Sequence, residues 1–123
     1  MNVVDSSGWL SYFASDANAR YFATPIENID ELIVPSISLT EVFKRILQQR
    51  DEDLALQAVA HMQLGRIIDL DANLAINAAQ YGVTLKLPLA DSIIYAAAKH
   101  HDAILWTQDS DFQGLDGVRY FAA

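Results

Sequence analysis

Short apolar runs alternate with helix-length segments along all 123 residues of this chain, and few folds accommodate that alternation. Met1-Asn2-Val3-Val4, Leu32-Ile33-Val34, Arg66 to Leu70, Ala103 to Trp106 and Val118 to Phe121 have the length and the branched or aromatic content of strands. The segments between them space their apolar residues helically and are long enough to carry the chain back for a parallel pairing. The expectation is one α/β domain over residues 1–123. It would be a three-layer α/β/α sandwich around a mostly parallel central sheet, with Val118 to Phe121 at an edge.

Ser6-Ser7-Gly8 opens an amphipathic helix through Trp9, Leu10 and Phe13. A further helical stretch runs from about Ala17 to Ala23 and is expected to halt before Pro25, because proline disfavours helical geometry in its predecessor. A helix from about Leu39 to Gln49 precedes the acidic joint Asp51-Glu52-Asp53, read as a solvated helix start, and another helix runs through His61. The next begins at Asp71 and closes near Gly82. The last runs from Pro88 to His101, with proline in its first turn and histidines in its last.

Composition narrows the chemistry. The chain has no cysteine, which excludes disulfides, thiolate zinc sites and a cysteine nucleophile. A net charge of −8 repels polyphosphate and disfavours tight, sequence-blind binding of duplex nucleic acid. A nuclease stays open, since divalent ions in an acidic site reverse the local sign, and an acidic body suits a basic protein partner. With no leader-like start and no apolar run near the ~20 residues of a membrane span, a soluble cytoplasmic protein without membrane contact is expected.

Five acids stand where strands hand over to helices or loops: Asp5, Glu41, Asp91, Asp109 and Asp111. In an open parallel sheet the carboxyl ends of the strands line one crevice, where ligands bind. A carboxylate cluster there would hold a hard divalent cation through oxygen. Taken singly, most have a structural explanation. Asp5 can cap the helix after it. Ser38-Leu39-Thr40-Glu41 fits a capping box, and Glu41 has Lys44 and Arg45 at helical spacing. Asp109 and Asp111 are ordinary turn residues. Asp91 resists this treatment, because Ile94, Tyr95 and Ala98 share its side of the helix. A partly buried acid costs several kcal/mol unless it is paired or bound to a metal, and a helix dipole returns under about 1 kcal/mol.

Val3-Val4-Asp5-Ser6-Ser7, Ser38-Leu39-Thr40-Glu41-Val42, Leu89 to Ala98 and Leu105-Trp106-Thr107-Gln108-Asp109-Ser110-Asp111-Phe112 together resemble the PIN domain. Their order and spacing look most like the VapC-type ribonuclease toxins of prokaryotic toxin-antitoxin pairs, over essentially the whole chain. The resemblance implies a parallel-sheet α/β/α nuclease fold whose acidic site binds Mg²⁺ or Mn²⁺, with RNA as substrate and a cognate antitoxin as partner. Asp5, Glu41, Asp91 and Asp109 match the family's catalytic acids, and Asp111 matches a further acid that members often contribute. Trp106 departs from the aliphatic residue usual at its place.

On that footing Asp5 and Asp91 are expected as primary metal ligands, Asp109 or Asp111 as the remaining carboxylate, and Glu41 as ligand or water-orienting group. Ser6 and Thr107 are candidates for holding those carboxylates or touching substrate, and Lys44, Arg45 and Lys86 for contacting phosphate. Hydrolysis by metal-activated water needs no protein nucleophile. A small-phosphoester enzyme or a silent metal-binding module could use the same acids. A phosphoaspartyl enzyme, however, wants an acid where this chain has Ser7, and a receiver wants a lysine where it has Thr107-Gln108-Asp109.

His61, His100 and His101 read as surface or dipole-complementing residues. Trp9, Phe13, Tyr95 and Phe112 read as core or interface. The early helices carry Trp9, Leu10, Tyr12, Phe13, Tyr21 and Phe22, more apolar surface than one side of a thin sheet covers, so some is expected at a homodimer or antitoxin interface.

Overall fold

Every strand pairing is parallel. The computed structural model describes residues 1–123 and joins five strands in the order β3-β2-β1-β4-β5. They are β1 (Asn2–Val4), β2 (Leu32–Pro35), β3 (Arg66–Ile68), β4 (Ile104–Thr107) and β5 (Val118–Tyr120). Six helices flank them: α1 (Ser6–Ala14), α2 (Ala19–Glu27), α3 (Ser36–Gln49), α4 (Glu52–Met62), α5 (Ala72–Leu85) and α6 (Leu89–His100). Single 3₁₀ turns span Ile29–Glu31 and Ser110–Phe112.

The central strands are almost wholly apolar, with only Asn2 and Thr107 polar at their ends, because both sheet faces are covered. Val4, Leu32, Val34 and Trp106 point to one layer, where they meet Trp9, Phe22, Ile26, Val42 and Met62. Val3, Ile33 and Leu105 point to the other, against Ile94, Tyr95, Ala98 and Phe112. Alternate residues of one strand thus serve opposite helix layers, which is the expected three-layer α/β/α sandwich. Trp106 fits its strand because its Nε1 donates to Asn2 Oδ1 at 2.9 Å and its ring lies under the Arg119 guanidinium.

Four element boundaries differ from expectation. Helix α2 does not halt before Pro25 but runs to Glu27; proline in a last turn forfeits one hydrogen bond, and here Pro25 and Ile26 are buried against the core. Helix α3 starts at Ser36 rather than Leu39, since Pro35 both ends β2 and caps the helix. Ser38 therefore lies inside the first turn, fully buried and capping nothing, and the capping box does not form. Helix α5 passes Gly82 and ends at Leu85, capped by Lys86, whose φ of 57° is left-handed. Strand β3 stops at Ile68, and Leu70 is exposed.

Trp9, Tyr95 and Phe112 are core residues, and Phe22 is fully buried beside Trp9. His61 is half-buried in the last turn of α4, the place where a cation complements the helix dipole, and it packs edge-on against Trp9, Tyr12 and Phe13. His100 and His101 do sit at the end of α6. No helix is long and apolar enough to cross a membrane.

Candidate metal centre

β1 lies between β2 and β4, so the chain leaves it in opposite directions along the sheet, and a crevice opens beyond the strand ends at that switch. The crevice has a volume of about 540 Å³ and is lined by Asp5, Ser6, Ser7, Glu41, Lys44, Arg45, Asp91 and Asp109, among others.

Asp5 is the first residue after β1 and is 2 % exposed. Its Oδ1 accepts from Ser7 Oγ at 2.7 Å and from the Gly8 amide at 3.0 Å, and its Oδ2 accepts from Thr107 Oγ1 at 2.7 Å. Consecutive backbone amides aim those two hydroxyls: Gln108 N donates to Ser7 Oγ at 3.3 Å, and Asp109 N to Thr107 Oγ1 at 2.9 Å. A hydroxyl has one proton, and an amide donating to its oxygen leaves that proton for the carboxylate. Each oxygen of Asp5 is thereby pinned by its own relay. Gly8 makes this possible, since a Cβ there would stand 2.6 Å from Val4 Cγ1 and 2.7 Å from Phe22 Cδ1. Only glycine lets α1 begin so close to β1.

Glu41 is on α3, and its Oε1 accepts from Ser6 Oγ at 2.5 Å, joining α3 to the start of α1. Asp91 occupies the first turn of α6 and is half-buried. Asp109 caps the turn Ser110–Phe112, and its Oδ1 accepts from the Asp111 amide at 2.9 Å. Carboxylate oxygens of Asp91, Asp109 and Asp111 all fall within 4.8 Å of one another. Phe112, fully buried against Tyr95, anchors the turn that carries two of them.

The structure therefore brings the five predicted acids to one region. Asp91, Asp109 and Asp111 form a tight trio, while Asp5 and Glu41 line the same crevice outside it. Lys44 and Arg45 line it too, yet no lysine or arginine forms a salt bridge with any of the five acids. Lys86 is exposed at the end of α5 and does not line the crevice. Ser7 escaped the sequence reading, although its place two residues after the strand-end aspartate was the available signal.

Crowding of unpaired carboxylates has the electrostatic result it must. Burial pushes the Asp5 carboxyl up to about 6, against the opposing hydrogen bonds from Thr107, Ser7 and Gly8. Burial, then the charges on Asp109, Asp5, Asp111 and Glu41, push Asp91 up to about 7. A bound cation relieves both causes. The donor set is all carboxylate oxygen, with no sulfur and no imidazole, which suits a hard divalent ion.

The sequence model of the PIN domain family matches residues 3–118. No curated protein sequence matches the chain. Among solved structures it is similar to a toxin-antitoxin complex from Klebsiella pneumoniae, with 21% identity, 97% of this chain and 96% of that one covered, and a TM-score of 0.78. It is also similar to the sarcin-ricin loop cleaving toxin VapC20 of Mycobacterium tuberculosis (16% identity, 92% of each chain, TM-score 0.74). DNA-bound VapBC from Salmonella typhimurium gives 18% identity, 98% of each chain and a TM-score of 0.75. At these identities the likeness is one of fold.

Proposed function

The chain belongs to the PIN domain family, and from that premise we propose that it is an endoribonuclease dependent on Mg²⁺ or Mn²⁺ and the toxin of a type II toxin-antitoxin pair. The observation that carries this reading is the group of five carboxylates from four separate segments, four lining one crevice and Asp111 beside them, none of them in a salt bridge.

Bound there, a divalent ion supplies a Lewis acid for the phosphate and an activated water. Asp5 and Asp91 are the proposed primary ligands, with Asp109 and Asp111 completing the set. Asp5 arrives already oriented by Ser7 and Thr107, which spares the site that ordering cost. Glu41, fixed by Ser6, orients the attacking water and takes its proton. Lys44 and Arg45, exposed on α3 beside the acids, meet the phosphates flanking the scissile bond. The deciding assay is direct: end-labelled RNA should be cut in Mg²⁺, spared in EDTA and cut again when Mn²⁺ is restored. Intact RNA throughout, with p-nitrophenyl phosphate hydrolysed instead, would favour the small-phosphoester reading.

An antitoxin segment is assigned to the groove between α1 and the α3–α4 pair, about 780 Å³ in volume and floored by Leu10, Phe13, Ile46 and Ala58. It shares Leu10 and Arg45 with the acidic crevice, so an occupant reaches the site. The Klebsiella structure, a toxin-antitoxin complex, supports such a partner. Homodimerisation is assigned to Ile76, Val83 and Leu89, which are 61%, 82% and 80% exposed around α5 and the start of α6. Light scattering should find a dimer at micromolar concentration; a monomer for wild type, indistinguishable from Val83→Glu, removes that assignment.

A further inference from the structure

We propose that Asn18 and Gln108, neither of which touches the acidic crevice's metal-holding carboxylates with its own side chain, are positioning residues for Asp5. The inference rests on the reading of Asp5 as a metal-holding carboxylate and adds to it a tie between the α1–α2 turn and the strand end of β4.

The tie can be followed atom by atom. Asn18 Nδ2 donates one proton to Gln108 Oε1 at 2.9 Å and the other to the Ala122 carbonyl at 3.0 Å. Its backbone amide donates to Asp16 Oδ1 at 3.0 Å, and Ser11 Oγ donates to the same oxygen. Asn18 is thus held through side chain and backbone at once. With Oε1 of Gln108 committed to Asn18, the other end of that amide is turned to the Ser7 carbonyl, 3.5 Å away. The Gln108 side chain is therefore gripped at both ends, and its own backbone amide is the group that donates to Ser7 Oγ.

Ser7 has a choice that this amide settles. Its hydroxyl lies 2.7 Å from Asp5 Oδ1 but also 3.5 Å from Thr107 Oγ1. Thr107 spends its proton on Asp5 Oδ2 and receives the Asp109 amide, so it can take a proton from Ser7 only as a second acceptor contact. While Gln108 N donates to Ser7 Oγ, the Ser7 proton goes to Asp5. If residue 108 drifts, Ser7 can rotate toward Thr107, and Asp5 Oδ1 keeps only the Gly8 amide. The pin on one oxygen of the carboxylate then loosens while the pin on the other remains.

Groups that orient a metal ligand from one layer out change metal affinity by about 10- to 100-fold when removed. Asn18 and Gln108 act one step further away, so the low end, on the order of tenfold, is expected. The experiment uses the full chain and Mn²⁺ alone as probe, titrated calorimetrically and by the paramagnetic signal of free ion, for wild type, Asn18→Ala, Gln108→Leu and the double variant. Each single variant should raise the Mn²⁺ dissociation constant by about tenfold with an unchanged circular dichroism spectrum. The double variant should show the same tenfold rather than the product of two, because both changes cut one tie. RNA cleavage at saturating Mn²⁺ should return close to the wild-type rate in all three. Wild-type affinity in both singles, or effects that multiply in the double, overturns the positioning role. A wild-type chain that binds no Mn²⁺ overturns the metal reading of Asp5, and this inference with it.

Discussion

Asp5→Asn and Asp91→Asn should each lower Mg²⁺-dependent RNA cleavage by about a thousandfold or more while leaving the far-ultraviolet spectrum unchanged. Charge stabilisation by a metal contributes several kcal/mol to such a reaction, and each 1.36 kcal/mol is a factor of ten. An amide keeps the shape of the carboxylate and loses the charge that holds the ion. The two variants should differ in one respect. Asp5 accepts from Thr107 and Ser7, so an amide NH₂ at that place confronts a donor and forces one hydroxyl to turn, at a cost of about 1 kcal/mol. No such hydrogen bond to Asp91 exists to be lost. Full cleavage activity in both variants would end the assignment of the site.

Asp91→Asn should also melt higher than wild type in EDTA, by about 3 °C for a chain of this size, and respond less to Mg²⁺. The sign follows from the raised carboxyls. Asp5 near 6 and Asp91 near 7 both lie above the ordinary 3.8, so between those values the folded chain holds more protons than the unfolded one. Stability is greatest, for these two groups, below the ordinary value; it falls as pH rises through that window, and the loss is complete above the Asp91 value. Asparagine at 91 removes the larger of the two shifts, that of the group on which burial and four neighbouring carboxylates act together. For wild type, Mg²⁺ at ten times its dissociation constant should return about 1.4 kcal/mol, roughly 4 °C. A variant that melts lower in EDTA and keeps the full Mg²⁺ response would show Asp91 to be a structural acid.

Much of the fold and of the acidic site is legible in the sequence itself. Val3-Val4 and Ile33-Val34 announce strands because a parallel sheet covered on both faces leaves no polar alternation to obscure them. The acids were readable because each stands at the end of such a run or in the first turns of a helix. What stayed hidden depends on direction and distance. Ser38-Leu39-Thr40-Glu41 has the letters of a capping box, but letters do not record that α3 is already under way at Ser36 or that Ser38 faces the core. Pro25 reads as a stop, and only the burial of the last turn of α2 explains why it is not one. The early aromatic residues promised a surface, and the structure spends Trp9 and Phe22 inside. Asn18 and Gln108 carry no local signature at all, since the partners of their side chains lie about a hundred residues away along the chain and are neighbours only in the fold.

The position of β1 has a bearing on how the chain is made. It comes before the other four strands in chain order and is the middle strand of the finished sheet, with Val3 beside both Ile33 and Leu105. A growing chain can lay β2 against one side of it early, but the other side stays open until Ile104–Thr107 leave the ribosome. The same late arrival brings Thr107 to Asp5 and the Asp109–Asp111 turn to Asp91. A nascent chain lacking that segment therefore has an unfinished sheet and scattered carboxylates, so the proposed metal centre cannot assemble until β4 and the turn after it have joined β1.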